Sequence, residues 1–213
     1  MFRMAEQSPP AWPGELVSIS FGAEVPTRFG VFRAAAYQSQ AGTNEHVALM
    51  MGDLRGRRNI LTRLHSACLT GDALGSLRCD CGPQFDKALE RIAGEGAGVI
   101  IYNPSHEGRG IGLNDKLAAY ALQDRGLDTV DANLALGQQP DSRDYTVEAA
   151  ILWDLGIASI KLLTNNPAKV DGLLALGIAV LERVPLSGGV NRHNRVYLEA
   201  KAMKLGHWPE VIS

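Results

Sequence analysis

An α/β fold, a mixed sheet flanked by helices with a more β-rich N-terminal segment, is what the sequence predicts. Three observations predict it. From about Val47 onward, short aliphatic runs alternate with amphipathic helical stretches. Those helical stretches are punctuated by glycines placed as end caps. The first forty-five residues follow neither pattern and read instead as weaker β structure.

Taken in order, residues 1–13 carry prolines at 9, 10 and 13 and read as a flexible lead-in. A single domain is expected over 14–208, with 209–213 as a tail. Leu16–Phe21 and Arg28–Phe32 suggest strands, and Gln38 to Glu45 a loop. Val47–Met51, Gly98–Tyr102, Ile160–Leu163 and Ile178–Leu181 have the brief aliphatic character of strands buried on both faces. A helix begins near Pro83, carries Phe85, Ala88, Leu89 and Ile92 on one face, and is expected to stop before Gly94. Leu117, Tyr120, Ala121 and Leu122 form a second helical face that stops at Gly126. A third helix starts near Asp144, its expected N-cap, and ends at Gly156. Pro167 opens a fourth that ends before Gly177, and Arg195 to Leu205, closed by Gly206, forms the last.

The 213 residues suffice for one sizeable core. Charges are mixed in sign and the formal net charge is −2. A sequence-independent nucleic-acid binder carries a basic excess to neutralise phosphates, so any nucleotide partner is expected to be a small molecule and not a polymer. No apolar run approaches the ~20 residues that span a bilayer. With no secretion-type order at the N-terminus, no membrane association is expected and a cytoplasmic location is the default.

All three cysteines, Cys68, Cys79 and Cys81, fall within fourteen consecutive positions. An odd number argues against a disulfide framework, and clustering in a reducing compartment points to metal or redox chemistry. Three thiolates suit zinc, and a three-ligand site leaves a position for water, as catalytic sites do. A closed site completed by His65, or inert thiols, are the alternatives.

Other residues carry weaker signals. Glu107-Gly108-Arg109-Gly-Ile-Gly112 precedes a helix and suits phosphate, or is a plain turn. Arg63, just before the cysteine loop, is a triphosphate clamp or a surface charge. Lys169 lies in the first turn of a helix, where a cation opposes the macrodipole and is better explained by a bound anion. Thr164 precedes it at a strand end, where α/β sheets collect ligands. Gln84 suits a guanine edge and Thr129 a ligand hydroxyl contact; either is equally a local cap. Tyr120 lies on an apolar helical face, where a core role is the plain reading. Asp141 and Arg143 sit in a polar loop before a helix.

Several stretches in order resemble GTP cyclohydrolase II. They are Arg63-Leu64-His65-Ser66-Ala67-Cys68, Arg78-Cys79-Asp-Cys81-Gly, Glu107-Gly-Arg109, Tyr120-Ala-Leu-Gln-Asp124, Asp128-Thr129, Asp141-Ser-Arg143-Asp144-Tyr145, Leu162 to Pro167 with Lys169, and Tyr197 with Lys201, Lys204, Gly206 and His207. The resemblance runs from about Ile60 to His207. It implies one Zn2+ per subunit on Cys68, Cys79 and Cys81, and GTP with Mg2+ on its triphosphate. Residues 63–67, Gln84, 107–109, Thr129, Thr164 and Lys169 would bind GTP. Tyr120 would lie near the scissile purine carbon, Asp141 would be general base, and Arg143 nucleophile towards phosphorus. A guanidinium with pKa above 12 is a poor nucleophile, so on physical grounds Arg143 is first a transition-state clamp. The implied products are formate, pyrophosphate and a diaminopyrimidinone ribonucleotide, in the first step of riboflavin biosynthesis, by a stand-alone homodimer.

The sequence departs from that pattern at Ala67, where relatives carry glutamate, and at Asn103-Pro-Ser-His106, where they carry Arg-Gln. Two other readings stand beside this one: a zinc hydrolase of different nucleotide range, including a relative that stops after partial hydrolysis, and a zinc-stabilised binding module without chemistry.

Overall fold

The computed structural model describes residues 16–39 and 45–208. The predicted lead-in, the tail and positions 40–44 of the predicted loop lie outside the described residues. Seven strands, β1 (Leu16–Thr27), β2 (Gly30–Ser39), β3 (Glu45–Met51), β4 (Ile60–Ser66), β5 (Gly98–Asn103), β6 (Ile160–Leu163) and β7 (Val180–Val184), form one sheet in the order β1-β2-β3-β5-β4-β6-β7. β1, β2, β3 and β5 pair antiparallel, while β5, β4, β6 and β7 pair parallel. The sheet is therefore mixed, as the sequence predicts.

The N-terminal hairpin turns at Arg28 and Phe29, so the predicted strand over Arg28–Phe32 in fact begins at Gly30. Thr27 fastens the turn: its hydroxyl donates to the Gly30 carbonyl at 2.8 Å and accepts from the Phe29 N–H at 3.1 Å. Gln38 and Ser39, taken above as loop, belong to β2, and Gln38 pairs with Glu45 across to β3.

β4 escaped the sequence reading because Thr62, Arg63 and His65 interrupt its apolar run, yet six of its seven residues are buried. The last predicted strand is shifted. Ile178 packs into the core as the chain leaves the preceding helix, and the edge strand that follows is half exposed. Burial on both faces holds for β4 and β5, whereas β3 buries alternate residues only.

Among the described residues seven α-helices connect or flank the strands: α1 (Leu69–Asp72), α2 (Cys81–Glu95), α3 (Gly112–Gln123), α4 (Thr129–Ala135), α5 (Thr146–Asp154), α6 (Pro167–Ala175) and α7 (Arg195–Leu205). α2 runs through Gly94 and stops at Gly96, whose φ of 71° supplies the left-handed cap. α5 starts one residue later than Asp144 suggests, but the Asp144 carboxylate still accepts from the Thr146 N–H at 2.7 Å. α4, unrecognised in the sequence, is capped by Asp128, which accepts from the N–H groups of Val130 and Asp131.

Two apolar cores cover the sheet. On one face Leu64, Ile101, Ile160 and Leu162 pack with Ile151 and Leu152 of α5 and Leu173 of α6. On the other, Leu61, Ile100 and Leu163 pack with Ala88, Leu89 and Ile92 of α2. Burying β4, β5 and β6 between the two layers leaves their carboxyl ends to open into loops on one side of the molecule.

Candidate metal and nucleotide site

β4 delivers two kinds of residue by strict alternation. Leu64 points into the core, and Arg63 and His65 point the other way, into a cavity of about 560 Å³ beyond the strand ends. Chain from β4, β5 and β6 surrounds that cavity, with α3, α4 and α7 closing it. Of the residues expected to hold metal, bind GTP or act in catalysis, all line it except Leu64, Glu107 and Asp141. Leu64 contributes only its carbonyl, which accepts from Lys169 Nζ at 2.7 Å.

Cys68 ends the β4 loop, and Cys79 and Cys81 flank the turn into α2, so two segments bring three sulfurs together. Their Sγ atoms all lie within 4.8 Å of one another, with Cys68 and Cys79 3.6 Å apart. Gly71 permits this approach: a Cβ there would stand 2.6 Å from Cys79 Sγ and 3.1 Å from Cys68 Sγ. The thiols of Cys79 and Cys81 hydrogen-bond Cys68, which together with Lys116 holds it far below the thiol range despite burial. The same contact with Cys68 pushes Cys79 up to about 11 and Cys81 well above its ordinary value. A dication is what would let all three ionise together. The trio thus fits a metal ion. Among the described residues no fourth side chain joins the group. His65, the alternative fourth ligand, instead contacts the Asp72 carboxylate at 3.1 Å through Nε2 and stacks on Tyr102.

Around the sulfurs the polar groups are paired. Asp72 accepts the Cys68 N–H at 2.9 Å and the Tyr102 hydroxyl at 3.1 Å. Lys116 Nζ donates to Cys68 Sγ at 3.1 Å and to Glu107 at 2.6 Å. Glu107 also accepts the Leu69 N–H at 2.7 Å. Glu107 is therefore a brace between the glycine-rich loop and the cysteine loop. Tyr120 is not the core residue its apolar face suggests; its hydroxyl meets Thr70 Oγ1 at 3.2 Å, beside Cys68, and burial raises its pKa.

Seven lysines and arginines line the cavity against one carboxylate, Glu199. Three are neutralised from outside: Lys116 by Glu107, Lys201 by Asp80 at 3.2 Å, and Arg143 by Asp141. Arg63, Arg109, Lys169 and Arg195 have no carboxylate within ion-pair distance among the described residues. Arg63 is held by the Leu163 carbonyl at 2.9 Å and Gln84 Oε1 at 2.6 Å, which leaves its Nε buried and unbonded. Arg109 Nη2 and Asn166 Nδ2 are likewise buried donors without acceptors. Burial brings Arg63 down to about 10, and burial with Arg63 and Arg143 nearby pushes Lys169 well below its usual range. Unsatisfied donors and crowded cations are both relieved by a bound polyanion.

Arg143 is held from two sides. Nε donates to Asp141 Oδ1 at 2.8 Å, Nη2 donates to Oδ2, and Nη1 reaches Ser66 Oγ at 3.2 Å. Burial opposes its charge, but the Asp141 bonds outweigh that and hold it above its ordinary value. Burial likewise opposes ionisation of Asp141, and Arg143 overrides it, so the Asp141 pKa is lowered. Ser142 bonds the Arg109 carbonyl through N–H and hydroxyl, fastening this loop to the glycine-rich one.

Among the lining residues that the sequence reading did not take as site candidates are His106, Lys116, Arg195, Tyr197 and Lys201. Lys116 was legible, four positions before Tyr120 and so on the same helical face. Lys201 meets Asp80 across 121 positions, and no local pattern announces that pair.

Known proteins can be set beside this geometry. The family model described as GTP cyclohydrolase II matches residues 18–185. The riboflavin biosynthesis protein RibBA of Salinispora arenicola is 57% identical over 87% of this chain, which spans 44% of that protein. RibBA of Mycobacterium bovis is 56% identical over 87% of the chain and 44% of its own length. GTP cyclohydrolase-2 of Actinobacillus succinogenes is 53% identical, covering 87% of this chain and 85% of its own length. The chain thus spans under half the length of the RibBA relatives. The matched span takes in 168 of the 213 residues and 23 of the 32 that line the cavity, and the chain belongs to the GTP cyclohydrolase II family.

Proposed function

We propose that the protein hydrolyses GTP, releasing formate from C8 of the purine, pyrophosphate, and a diaminopyrimidinone ribonucleotide for riboflavin synthesis. The observation that carries this reading is the meeting, in one cavity, of a three-thiol group and four unneutralised cations in a domain of this family.

Cys68, Cys79 and Cys81 would hold one zinc ion, whose chemistry there is to polarise a purine carbon and to acidify water to near pH 7. The protein's own groups do the rest. Arg63, Arg109 and Lys169 take the triphosphate, which brings Mg2+ with it, and the unsatisfied donors of Arg63 and Arg109 favour that anion over water. Gln84, turned by Arg63 and Asp80, presents an amide to the base. Tyr120, kept protonated by burial, donates towards the charge that develops beside Cys68. Asp141 remains ionised and accepts or directs a proton; its two bonds to Arg143 favour a positioning role alongside that of base. Arg143 stays cationic, which supports a clamp on the departing pyrophosphate more than a nucleophile. A homodimer and a cytoplasmic location accompany the family reading, and sedimentation equilibrium tests the first.

The test is incubation of zinc-loaded protein with GTP and Mg2+, following formate, pyrophosphate and nucleotide mass together. Equal release of both is expected, abolished by Cys79→Ser. Intact GTP over a fully zinc-loaded protein would defeat the reading. Pyrophosphate without formate would favour a relative that stops partway.

A further inference from the structure

His106 is buried in the cavity wall, where the 3-10 turn of Pro104–Arg109 leaves β5. Nothing in the mechanism above uses it. Its Nε2 lies 2.7 Å from the Asp144 carbonyl and 3.1 Å from Asn103 Nδ2, and its Nδ1 lies 3.3 Å from Ser66 Oγ and 3.4 Å from Glu148 Oε1. The carbonyl contact is the shortest of these and a carbonyl oxygen only accepts, so Nε2 carries the proton, while the Asn103 amide donates to Glu148. The ring is neutral, since burial and the neighbouring Lys169 and Arg143 bring its pKa down to about 3. Nδ1 is then a lone pair, and the Ser66 hydroxyl must donate to it. That choice turns the serine lone pairs towards Arg143 Nη1, 3.2 Å away. Asn103 completes the frame. Its carbonyl oxygen accepts the Ser105 N–H, its amide donates to Glu148 at 2.9 Å, and its backbone carbonyl accepts the Ala67 N–H at 3.0 Å. The fixed order is therefore Asp144 carbonyl, imidazole, serine hydroxyl, guanidinium.

We propose that His106 is a positioning residue: by fixing the Ser66 hydroxyl as an acceptor, it holds the Arg143 guanidinium against the polyphosphate of the substrate. The inference rests on the GTP reading for its substrate but not for its geometry. Asp141 grips Arg143 through Nε and Nη2, which leaves Nη1 as the edge that Ser66 controls. Removing the Nδ1 lone pair frees the serine hydroxyl to rotate and donate elsewhere, and its lone pairs are then no longer held towards Arg143 Nη1.

Two amide substitutions separate this role from mere filling of space. In His106→Asn the amide oxygen occupies the Nδ1 position and still accepts from Ser66. In His106→Gln the amide reaches the Nε2 position and still donates to Asp144, but nothing accepts from Ser66. The measurements are calorimetric affinity for inorganic tripolyphosphate, steady-state kcat and KM for GTP, and zinc content of each variant. His106→Gln is expected to weaken tripolyphosphate binding and lower kcat/KM about tenfold, with zinc content unchanged. His106→Asn recovers most of both, and Ser66→Ala reproduces the His106→Gln loss without adding to it in the double variant. Equal behaviour of the Asn and Gln variants, or additive losses with Ser66→Ala, would overturn the proposal. If His106→Gln fails to fold, Ser66→Ala alone decides: undiminished tripolyphosphate affinity overturns the proposal. A protein that shows the expected tripolyphosphate pattern but leaves GTP intact keeps this inference and loses the GTP reading; normal turnover with one tripolyphosphate affinity throughout does the reverse.

Discussion

The antiparallel and parallel halves of the sheet divide the labour of this molecule. β1, β2 and β3 are joined in antiparallel order; β3 buries alternate residues, the described side chains of β1 are mostly exposed, and no described residue before Arg63 lines the cavity. β4, β5 and β6 lie parallel beside one another, are buried almost throughout, and each ends at the cavity. The difference follows from connectivity. An antiparallel hairpin returns the chain at once, whereas a parallel pair needs a crossover, which brings loops and helix ends together at one edge. Chemistry gathers where crossovers gather. Damage in the parallel half should therefore remove function at little cost in folding, and damage in the antiparallel half should do the opposite.

The largest effect expected is that of Cys79→Ser. Loss of one of three thiolates removes most metal affinity, and formate release should fall on the order of 10³-fold or more, several kcal/mol of barrier. Zinc content and single-turnover formate release measure it. A variant that keeps stoichiometric zinc and full turnover would mean that the sulfur cluster is not the reactive centre.

Next in size is Arg109→Ala. Arg109 Nη2 is a buried donor without an acceptor, and its guanidinium stands 5.7 Å from the Tyr197 ring. A charge-assisted bond to phosphate is worth about 1.5–3 kcal/mol, so affinity for the triphosphate should drop roughly 10- to 100-fold while zinc stays bound. Titration with a non-hydrolysable GTP analogue reads the loss. Unchanged affinity would move the triphosphate away from the glycine-rich loop.

How far the sequence foretold these two regions also differs. The cysteine turn, Glu107 to Gly112 and Asp141 to Arg143 are short contiguous stretches, so their chemistry could be read before any folding was considered. What the sequence hid was β4. A strand containing arginine and histidine reads as surface unless its cavity is known, and these two are buried because they face ligand space and not apolar core. The partners of Asp80 and Glu107 were hidden too, since Lys201 and Lys116 reach them from elements that meet only in the folded chain. In the antiparallel half the turn at Arg28–Phe29 was misread as strand, because weak alternation does not mark where a hairpin reverses. β6, α6 and α7 were legible nearly to the residue, each having a clear apolar run or a clear cap.

A smaller effect lies at the boundary of the two halves. Burial raises the Glu148 pKa to about 7, against the Asn103 amide bond that favours its charge, and its Oε2 has no hydrogen-bond partner. A carboxyl raised in the folded state holds its proton there while the unfolded chain has released it. Stability is therefore lost as pH climbs from about 4.5 to about 7, by at most on the order of 3 kcal/mol. Glu148→Gln should flatten that slope, gaining Tm at pH 8 and little at pH 4. Parallel Tm-versus-pH curves for variant and parent would show instead that Glu148 is ionised in the folded protein.

The smallest functional effect, and the sharpest test of the division, comes from Tyr37→Phe. Tyr37 is fully buried on β2, and its hydroxyl donates to Asp154 Oδ2 of α5 at 2.9 Å. Burial, then the Asp154 contact, hold its pKa far above the ordinary phenol value, so it serves only as a donor. Removing the hydroxyl strips Asp154 of that bond and should cost about 1–2 kcal/mol of stability. For a chain of this size that amounts to a few degrees in Tm. The cavity lies beyond the far ends of β4, β5 and β6, and neither Tyr37 nor Asp154 lines it. kcat and KM for GTP should therefore stay within about twofold, a difference below ~0.5 kcal/mol of barrier. A Tyr37→Phe protein that folds well but turns over GTP tenfold more slowly would show that the antiparallel half tunes the site through α5. The two halves would then have to be treated as one functional unit.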